Sequence, residues 1–140
     1  MRAIRRSVLV VTPLLSVLDG AHGQGDPEKA ATAAATAWLS LIDDGRYAEG
    51  WKQASKYFQG VVSEPQWVSS LGGARRPLGK LVSRSLTGAV SRNTVPGAPD
   101  GHYVIMQFEA SFGQKKSAVE TVTFLREADG AWKAAGYYIR

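Results

Sequence analysis

The sequence contains no cysteine and only two histidines, and these absences exclude several kinds of chemistry. Without cysteine there is no disulfide, no thiolate nucleophile and no thiolate metal ligand, so the core must hold without covalent cross-links. His22 lies in the N-terminal segment and His102 stands alone, which argues against a histidine-based catalytic triad or metal site. The glycine patterns of phosphate and dinucleotide loops are also missing. We therefore expect no metal and no cofactor.

Charge is only moderately unbalanced. The chain has 17 lysines and arginines against 12 aspartates and glutamates, a net charge of +5. Three of these arginines and one aspartate lie within residues 1–23, so the remainder is weakly basic. No basic stretch is interleaved with aromatic residues in the manner of a nucleic-acid-binding surface. The sequence predicts no nucleic-acid partner.

Residues 1–23 have the three-part layout of a secretory signal peptide. Three arginines precede an apolar run at 7–18 (SVLVVTPLLSVL), and small residues at 21–23 (AHG) offer a cleavage site. The run is shorter than the about 20 residues that a membrane-spanning helix needs. The pattern predicts cleavage near Gly23 and export to the periplasm or the extracellular space, with no stable membrane span afterwards. An uncleaved membrane anchor is the alternative.

Hydrophobic spacing predicts three helices in the first half of the remaining chain. The first starts at Asp26, which can cap it, and ends at the sequence Asp43-Asp44-Gly45, where glycine can adopt the left-handed conformation. The second covers 47–57, and the third starts at Ser63 with a capping box to Gln66. Each helix carries one tryptophan for packing against a sheet: Trp38, Trp51 and Trp67.

After residue 79 the apolar period changes from about 3.6 to 2, which predicts strands. The predicted strands cover 80–87, 102–112, 117–127 and 131–139. Tight hairpins are expected at 113–116 and around Asp129-Gly130. Three N-terminal helices packed on a four-stranded, curved, antiparallel meander predict a single α+β domain over residues 24–140.

Several short sequence patterns lie between residues 30 and 140. They are Ala37-Trp38-Leu39, Asp43-x-Gly45-x-Tyr47, Arg76-x-Leu78-Gly79, Pro96-Gly97-x-Pro99-Asp100-Gly101-x-Tyr103 and Gly130-x-Trp132-x-x-x-Gly136-Tyr137-Tyr138-Ile139. Together they resemble the domain-of-unknown-function family numbered 4019, found in exported bacterial proteins. The resemblance implies an α+β fold similar to nuclear-transport-factor-two-like and cystatin-like domains. It implies no established activity and no site residues.

Tight hairpins would align four polar side chains in one row across the sheet: Arg84, Glu109, Glu120 and Tyr138. In this register Glu109 lies opposite both Arg84 and Glu120, at the about 5 Å of cross-strand partners. The row is then the base of a ligand-binding pocket, where a carboxylate acts as general base and Tyr138 donates a hydrogen bond. Alternatively, the row is structural, and Arg84 neutralises two facing carboxylates.

Three smaller features have simpler interpretations. Arg75 and Arg76 either bind a carboxylate or phosphate or, in the case of Arg76, tie the connector to a helix end. Asp43 stands at the negative end of the first helix, where we expect it to make local turn hydrogen bonds. The pair Lys115-Lys116 is expected to be a solubilising hairpin tip.

These observations favour an exported, non-catalytic domain that binds a small ligand or a protein of the cell envelope. The alternative is a small enzyme of isomerase or hydrolase type that uses a sheet carboxylate. A third option is a subunit of an envelope complex. The oligomeric state does not follow from the sequence.

Overall fold

Helices come first in the chain and strands follow, as the sequence predicts. The structure, a computed structural model, describes residues 25–140, so the predicted signal peptide and cleavage site lie outside the described residues. The helices are α1 (Asp26–Asp43), α2 (Tyr47–Lys52), α3 (Lys56–Val61) and α4 (Glu64–Arg75), followed by a 3-10 turn (Arg76–Leu78). The strands are β1 (Leu81–Arg92), β2 (Tyr103–Phe112), β3 (Lys115–Arg126) and β4 (Trp132–Ile139). Each strand pairs antiparallel with the next, which confirms the α+β meander.

Two helix signals in the sequence are confirmed and one is shifted. Ser63 and Gln66 form the predicted capping box of α4, with bonds of 3.0 and 3.3 Å. Gly45 follows α1 in the left-handed region, with φ at 79°. The cap of α1 is Gly25 instead of Asp26, which is already the first helical residue.

The predicted second helix is two helices, because Ser55 interrupts it. The Ser55 hydroxyl accepts a bond from the Phe58 N–H at 3.1 Å and so caps α3. The Ser55 N–H donates to the Ala134 carbonyl of β4 at 2.8 Å. Ser55 is fully buried, so these bonds replace water that its hydroxyl and its backbone N–H have lost.

The indole N–H groups of the three helical tryptophans bind the helices to one another. Trp38 donates to the Gly50 carbonyl at 2.9 Å, Trp51 to Val62 at 2.7 Å and Trp67 to Tyr47 at 2.9 Å. The Trp38 and Trp67 rings also pack together at 5.8 Å between centroids. Trp38 and Trp67 are buried and Trp51 is half-buried in the same core, so α1, α2 and α4 are each held both by apolar contact and by a directed bond.

The helices cover one face of the sheet, and β2 shows the two faces clearly. Its even-numbered residues from Val104 to Phe112 are buried, as predicted, whereas Gln107 and Glu109 are exposed on the other face. Irregular pairing occurs in every strand pair, between Leu81 and Ser83 for example. Among residues 25–140, no helix is long and apolar enough to cross a membrane.

Candidate functional site

A single guanidinium joins the end of α1 to the middle of the sheet. The Arg84 Nε and Nη2 atoms donate to the two oxygens of Glu120 at 2.6 and 3.1 Å. Its Nη1 and Nη2 atoms also donate to the two oxygens of Asp43, both at 2.8 Å. Arg84 therefore binds two carboxylates bidentately, which is the strongest geometry available to this side chain.

Two further side chains complete the arrangement. Arg75, at the end of α4, donates from Nη2 to Asp43 Oδ1 at 2.9 Å. The Tyr137 hydroxyl donates to Glu120 Oε2. We call these five residues the buried charge cluster: Asp43, Arg75, Arg84, Glu120 and Tyr137.

The buried charge cluster is electrically balanced, with two cations and two anions. The exposed fractions of the charged side chains are 0% for Glu120, 4% for Arg75, 13% for Arg84 and 16% for Asp43. Charges buried this far cost free energy unless they are paired and hydrogen-bonded. Here every carboxylate oxygen accepts at least one charge-assisted bond.

The surroundings shift three pKa values within the cluster. Burial favours the neutral form of Asp43, but bonds and charges from Arg84 and Arg75 outweigh it and lower the pKa of that carboxyl. Burial likewise opposes the charge on Arg84, yet its carboxylate partners raise the pKa of the guanidinium. Burial, assisted by the nearby Glu120 charge, raises the pKa of the Tyr137 hydroxyl. All three shifts hold each group in the protonation state that the bonds require.

Arg75 binds a carboxylate, as one interpretation of the sequence predicts, but the carboxylate belongs to the chain itself. Its guanidinium carbon lies 4.8 Å from the centre of the Phe112 ring. Within residues 25–140, its Nε and Nη1 atoms have no hydrogen-bond acceptor, so this cation–π contact is the compensation available to them. Arg76 points elsewhere, with its guanidinium carbon 5.8 Å from the Tyr47 ring.

The structure brings together only half of the predicted polar row. Arg84 and Glu120 are paired, but Glu109 and Tyr138 lie on the opposite face of the sheet, where both are exposed. Glu109 lies opposite Ser85 and Val119, and Tyr138 lies opposite Thr121. The predicted register was wrong by one residue, which exchanges the two faces of a strand.

The physical reason is a bulge in the β3–β4 pair and a different turn in each of the other two pairs. In the β3–β4 pair, the predicted alignment holds from Arg126–Trp132 to Phe124–Ala134 and then shifts, so that Tyr137 instead of Tyr138 faces the helices. In the β2–β3 pair Phe112 pairs with Lys115, so the turn is residues 113–114 instead of the predicted 113–116, and Lys115 and Lys116 belong to β3 instead of the hairpin tip. In the β1–β2 pair Arg92 pairs with Tyr103, two residues away from the predicted alignment. Irregularities between Ala110 and Phe112 and between Leu86 and Gly88 then reduce both offsets to one residue. Such bulges leave little trace in the apolar pattern that sequence reasoning uses.

Sequence reasoning did not place Asp43 or Tyr137 in the site. The local turn bonds expected for the Asp43 side chain were wrong, because this carboxylate binds Arg75 and Arg84 instead. One signal was available: an acidic side chain at the negative end of a helix is unfavourable there unless a cation neutralises it.

An apolar groove of about 260 Å³ lies beside the cluster, between α4 and the end of β4. Its lining is mainly apolar and aromatic: Trp67, Ser70, Leu71, Ala74, Tyr137, Tyr138 and Ile139. Tyr137 belongs to both features, because its ring lines the groove while its hydroxyl binds Glu120. Tyr138 is 61% exposed and stands at the groove's margin.

The same end of β4 is an open sheet edge. β4 pairs with β3 on one side only, and Arg140 exchanges two backbone bonds with Val119 at 2.9 and 3.1 Å. Bonding alternates along an antiparallel pair, so the backbone groups of Tyr137 and Ile139 point away from β3. Among residues 25–140, nothing bonds to these groups, whereas the Ala134 carbonyl earlier in β4 accepts from Ser55.

The described residues contain no group of three histidine, cysteine, aspartate or glutamate side chains that could hold a metal ion. A search of curated proteins finds no match to the chain. A family model described as a protein of unknown function, DUF4019, matches residues 34–137, and the chain therefore belongs to this family. The match spans all five residues of the buried charge cluster.

Proposed function

We propose that this DUF4019 protein is an exported, non-catalytic interaction domain whose binding site is the apolar groove beside β4. The observation that carries the proposal is the burial and hydrogen bonding of Glu120. This carboxylate is fully buried and accepts bonds from Arg84 and Tyr137 on both oxygens. A general base must come within hydrogen-bonding distance of its substrate, and the fully buried Glu120 has no exposed surface at which a substrate could reach it.

The occupant that the groove fits best is an extended segment of another protein. The unpaired backbone groups of Tyr137 and Ile139 match an added antiparallel strand, and the groove beside them matches one apolar side chain of that strand. A volume of about 260 Å³ suits a single anchoring side chain better than a drug-sized ligand, which needs roughly 300–1,000 Å³.

Export is the second part of the proposal, and it comes from the N-terminal sequence. Three arginines, an apolar run and small residues precede the domain. The absence of cysteine in the chain is compatible with an oxidising compartment, where the buried charge cluster and the tryptophan bonds hold the fold without disulfides. An envelope protein is therefore the class of partner that we propose.

Two adjacent residues of α4 provide a matched test of the groove. Ser70 lines the groove, whereas Ser69 is exposed beside it and does not. The probe is a peptide selected on the purified protein from a library of random twelve-residue sequences. We expect Ser70→Trp, which fills the groove, to weaken peptide binding by about tenfold or more, as loss of an anchor pocket does. Ser69→Trp should leave the affinity within about twofold.

The proposal fails if both tryptophan variants bind the peptide as the original protein does, or if selection yields no binder. A backbone control separates strand addition from simple apolar contact. Two methylated peptides are compared, one methylated on the backbone nitrogens of its odd-numbered residues and one on those of its even-numbered residues. Only one of the two should lose binding, because only one set of N–H groups faces β4.

A further inference from the structure

The two ends of the sheet differ in how their cations are balanced. At the end that holds the β2–β3 turn there are three exposed lysines, and we call them the basic end: Lys80, Lys115 and Lys116. The ion pairs found among residues 25–140 involve only Arg75, Arg84, Asp43 and Glu120. The basic end therefore carries positive charge that no carboxylate within 4.0 Å neutralises.

Backbone bonds hold the lysines of the basic end side by side. The Gly113 N–H donates to the Lys80 carbonyl at 2.8 Å, and the Gln114 N–H donates to Leu78 at 2.7 Å. The connector before β1 thus runs along the β2–β3 turn, immediately before Lys115 and Lys116. One exposed carboxylate, Glu109, lines the same shallow depression as Lys116, which leaves the basic end with a positive excess.

The opposite end of the sheet has as many lysines but a different balance. Lys52, Lys56 and Lys133 line a cleft of about 430 Å³ together with two acidic residues, Glu127 and Asp129. The backbone N–H of Lys56 also donates to the Glu127 carboxylate at 2.9 Å. Two carboxylates therefore stand beside three lysines at this end, whereas one carboxylate stands beside the three lysines of the basic end.

An apolar side chain projects at the basic end as well. Pairing between β1 and β2 is irregular between Leu81 and Ser83, and Val82 falls in this irregularity. Its side chain is 68% exposed, the largest fraction among the exposed large apolar residues of the described chain. Val82 lies two residues beyond Lys80, so an exposed apolar side chain follows the first lysine of the basic end closely in the chain.

We propose that the basic end docks the protein on an anionic phospholipid surface, with the lysines among the headgroups and Val82 at the acyl boundary. Lysine ammonium groups on flexible side chains can follow the mobile phosphate groups of a lipid surface. A fixed carboxylate of a protein is instead bound best by the planar guanidinium of arginine. The surface is a turn and a connector without an enclosed cavity, which fits a membrane plane better than a discrete ligand. This inference does not depend on what occupies the groove.

The test measures binding of the purified protein to vesicles of phosphatidylcholine with and without phosphatidylglycerol. Each lysine near an anionic surface changes the partition constant by about fivefold at low salt. We expect the triple variant Lys80→Gln/Lys115→Gln/Lys116→Gln to bind anionic vesicles about 100-fold more weakly. Val82→Ser should weaken binding without changing its salt dependence, because it removes an apolar contact only.

The matched control removes the same charge from the other end, as Lys52→Gln/Lys56→Gln/Lys133→Gln. Its binding should stay within about threefold of the original, because these lysines lie far from the docked surface. All of these side chains are exposed except Lys133, which is half-buried, and an unchanged melting temperature of each variant checks the fold. Equal losses for the two triple variants would overturn the proposal, because net charge alone would then explain binding. Failure of the original protein to bind anionic vesicles at low salt would also overturn the proposal. Binding to polyglutamate, an anionic polymer without phosphate or acyl chains, would not rescue it.

Discussion

Arg84 Nη1 and Nη2 each lie 2.8 Å from an oxygen of Asp43, so an arginine of the edge strand β1 holds the last residue of α1. The same guanidinium binds Glu120, which lies two strands away in the sheet. One side chain of β1 thereby joins the end of α1 to β3, across the intervening strand β2. The arrangement explains why a charged group is retained in a core that is otherwise aromatic and aliphatic.

Removing this guanidinium should destabilise the fold strongly. Arg84→Ala leaves the fully buried Glu120 without a cation and Asp43 with Arg75 alone, which we expect to cost about 3–5 kcal/mol. The control is Arg92, an exposed arginine of the same strand that forms no ion pair with any of residues 25–140, and Arg92→Ala should stay within about 0.5 kcal/mol. Urea unfolding measures both. Similar midpoints for the two variants would be incompatible with the described contacts.

Adjacent tyrosines allow a second comparison. Tyr137→Phe removes the hydroxyl that donates to Glu120 but keeps the ring that packs on Trp38 and Trp67. The expected loss is about 1.5–3 kcal/mol, the worth of a hydrogen bond to a charged group. Tyr138→Phe should change the free energy of unfolding little, since Tyr138 is exposed. Under the register predicted from the sequence the ranking would be reversed, so thermal unfolding of the pair also tests the position of the bulge.

Much of the fold follows from the sequence because its signals are local. The capping box of α4, the alternation along β2 and the turn glycine after α1 each depend on residues within a few positions of one another. Even the predicted β3–β4 register is correct near its hairpin, from Arg126 to Phe124. Ser55 shows where local spacing fails, because its tertiary bond to Ala134 divides a predicted helix in two.

Only half of the candidate site could be predicted, because the site depends on which face of its strand each residue occupies and on contacts between residues far apart in the chain. One extra residue in a strand pair exchanges the faces of everything beyond it, and this placed Tyr138 where Tyr137 belongs. Asp43 is separated from Arg84 by 41 positions in the chain, a distance over which spacing arguments carry no information. The pair Arg84 and Glu120 was predicted despite this, because two offsets of one residue left both on the helix-facing side.

Stability should depend on acid pH through Asp43. The pKa of Asp43 is lowered in the folded state, so this group contributes stability above its unfolded pKa of about 3.9 and loses it as pH falls through the folded value. We expect the free energy of unfolding to decline as pH falls below about 4. Asp43→Asn should be less stable at pH 7 and show a shallower decline. Parallel pH profiles of the two proteins would show that Asp43 is not responsible.

Export makes a separate prediction from the first residues of the chain. We expect the protein recovered from the cell envelope or medium to have the mass of a chain cleaved near Gly23, because small residues precede that bond. Intact mass spectrometry after cell fractionation measures this. A full-length product in the cytoplasm would contradict export, and a full-length product in the membrane would favour the uncleaved anchor.

The most direct test of the central claim, that Glu120 is a structural anion held by Arg84, is a double-mutant cycle. Glu120→Gln, Arg84→Met and the double variant are compared with the original protein by urea unfolding. Both single variants should lose stability, and the double variant should recover part of the loss, with a coupling free energy of about 2 kcal/mol. A coupling free energy near zero, together with a Glu120→Gln variant as stable as the original, would contradict the claim and return Glu120 to a role in binding or catalysis.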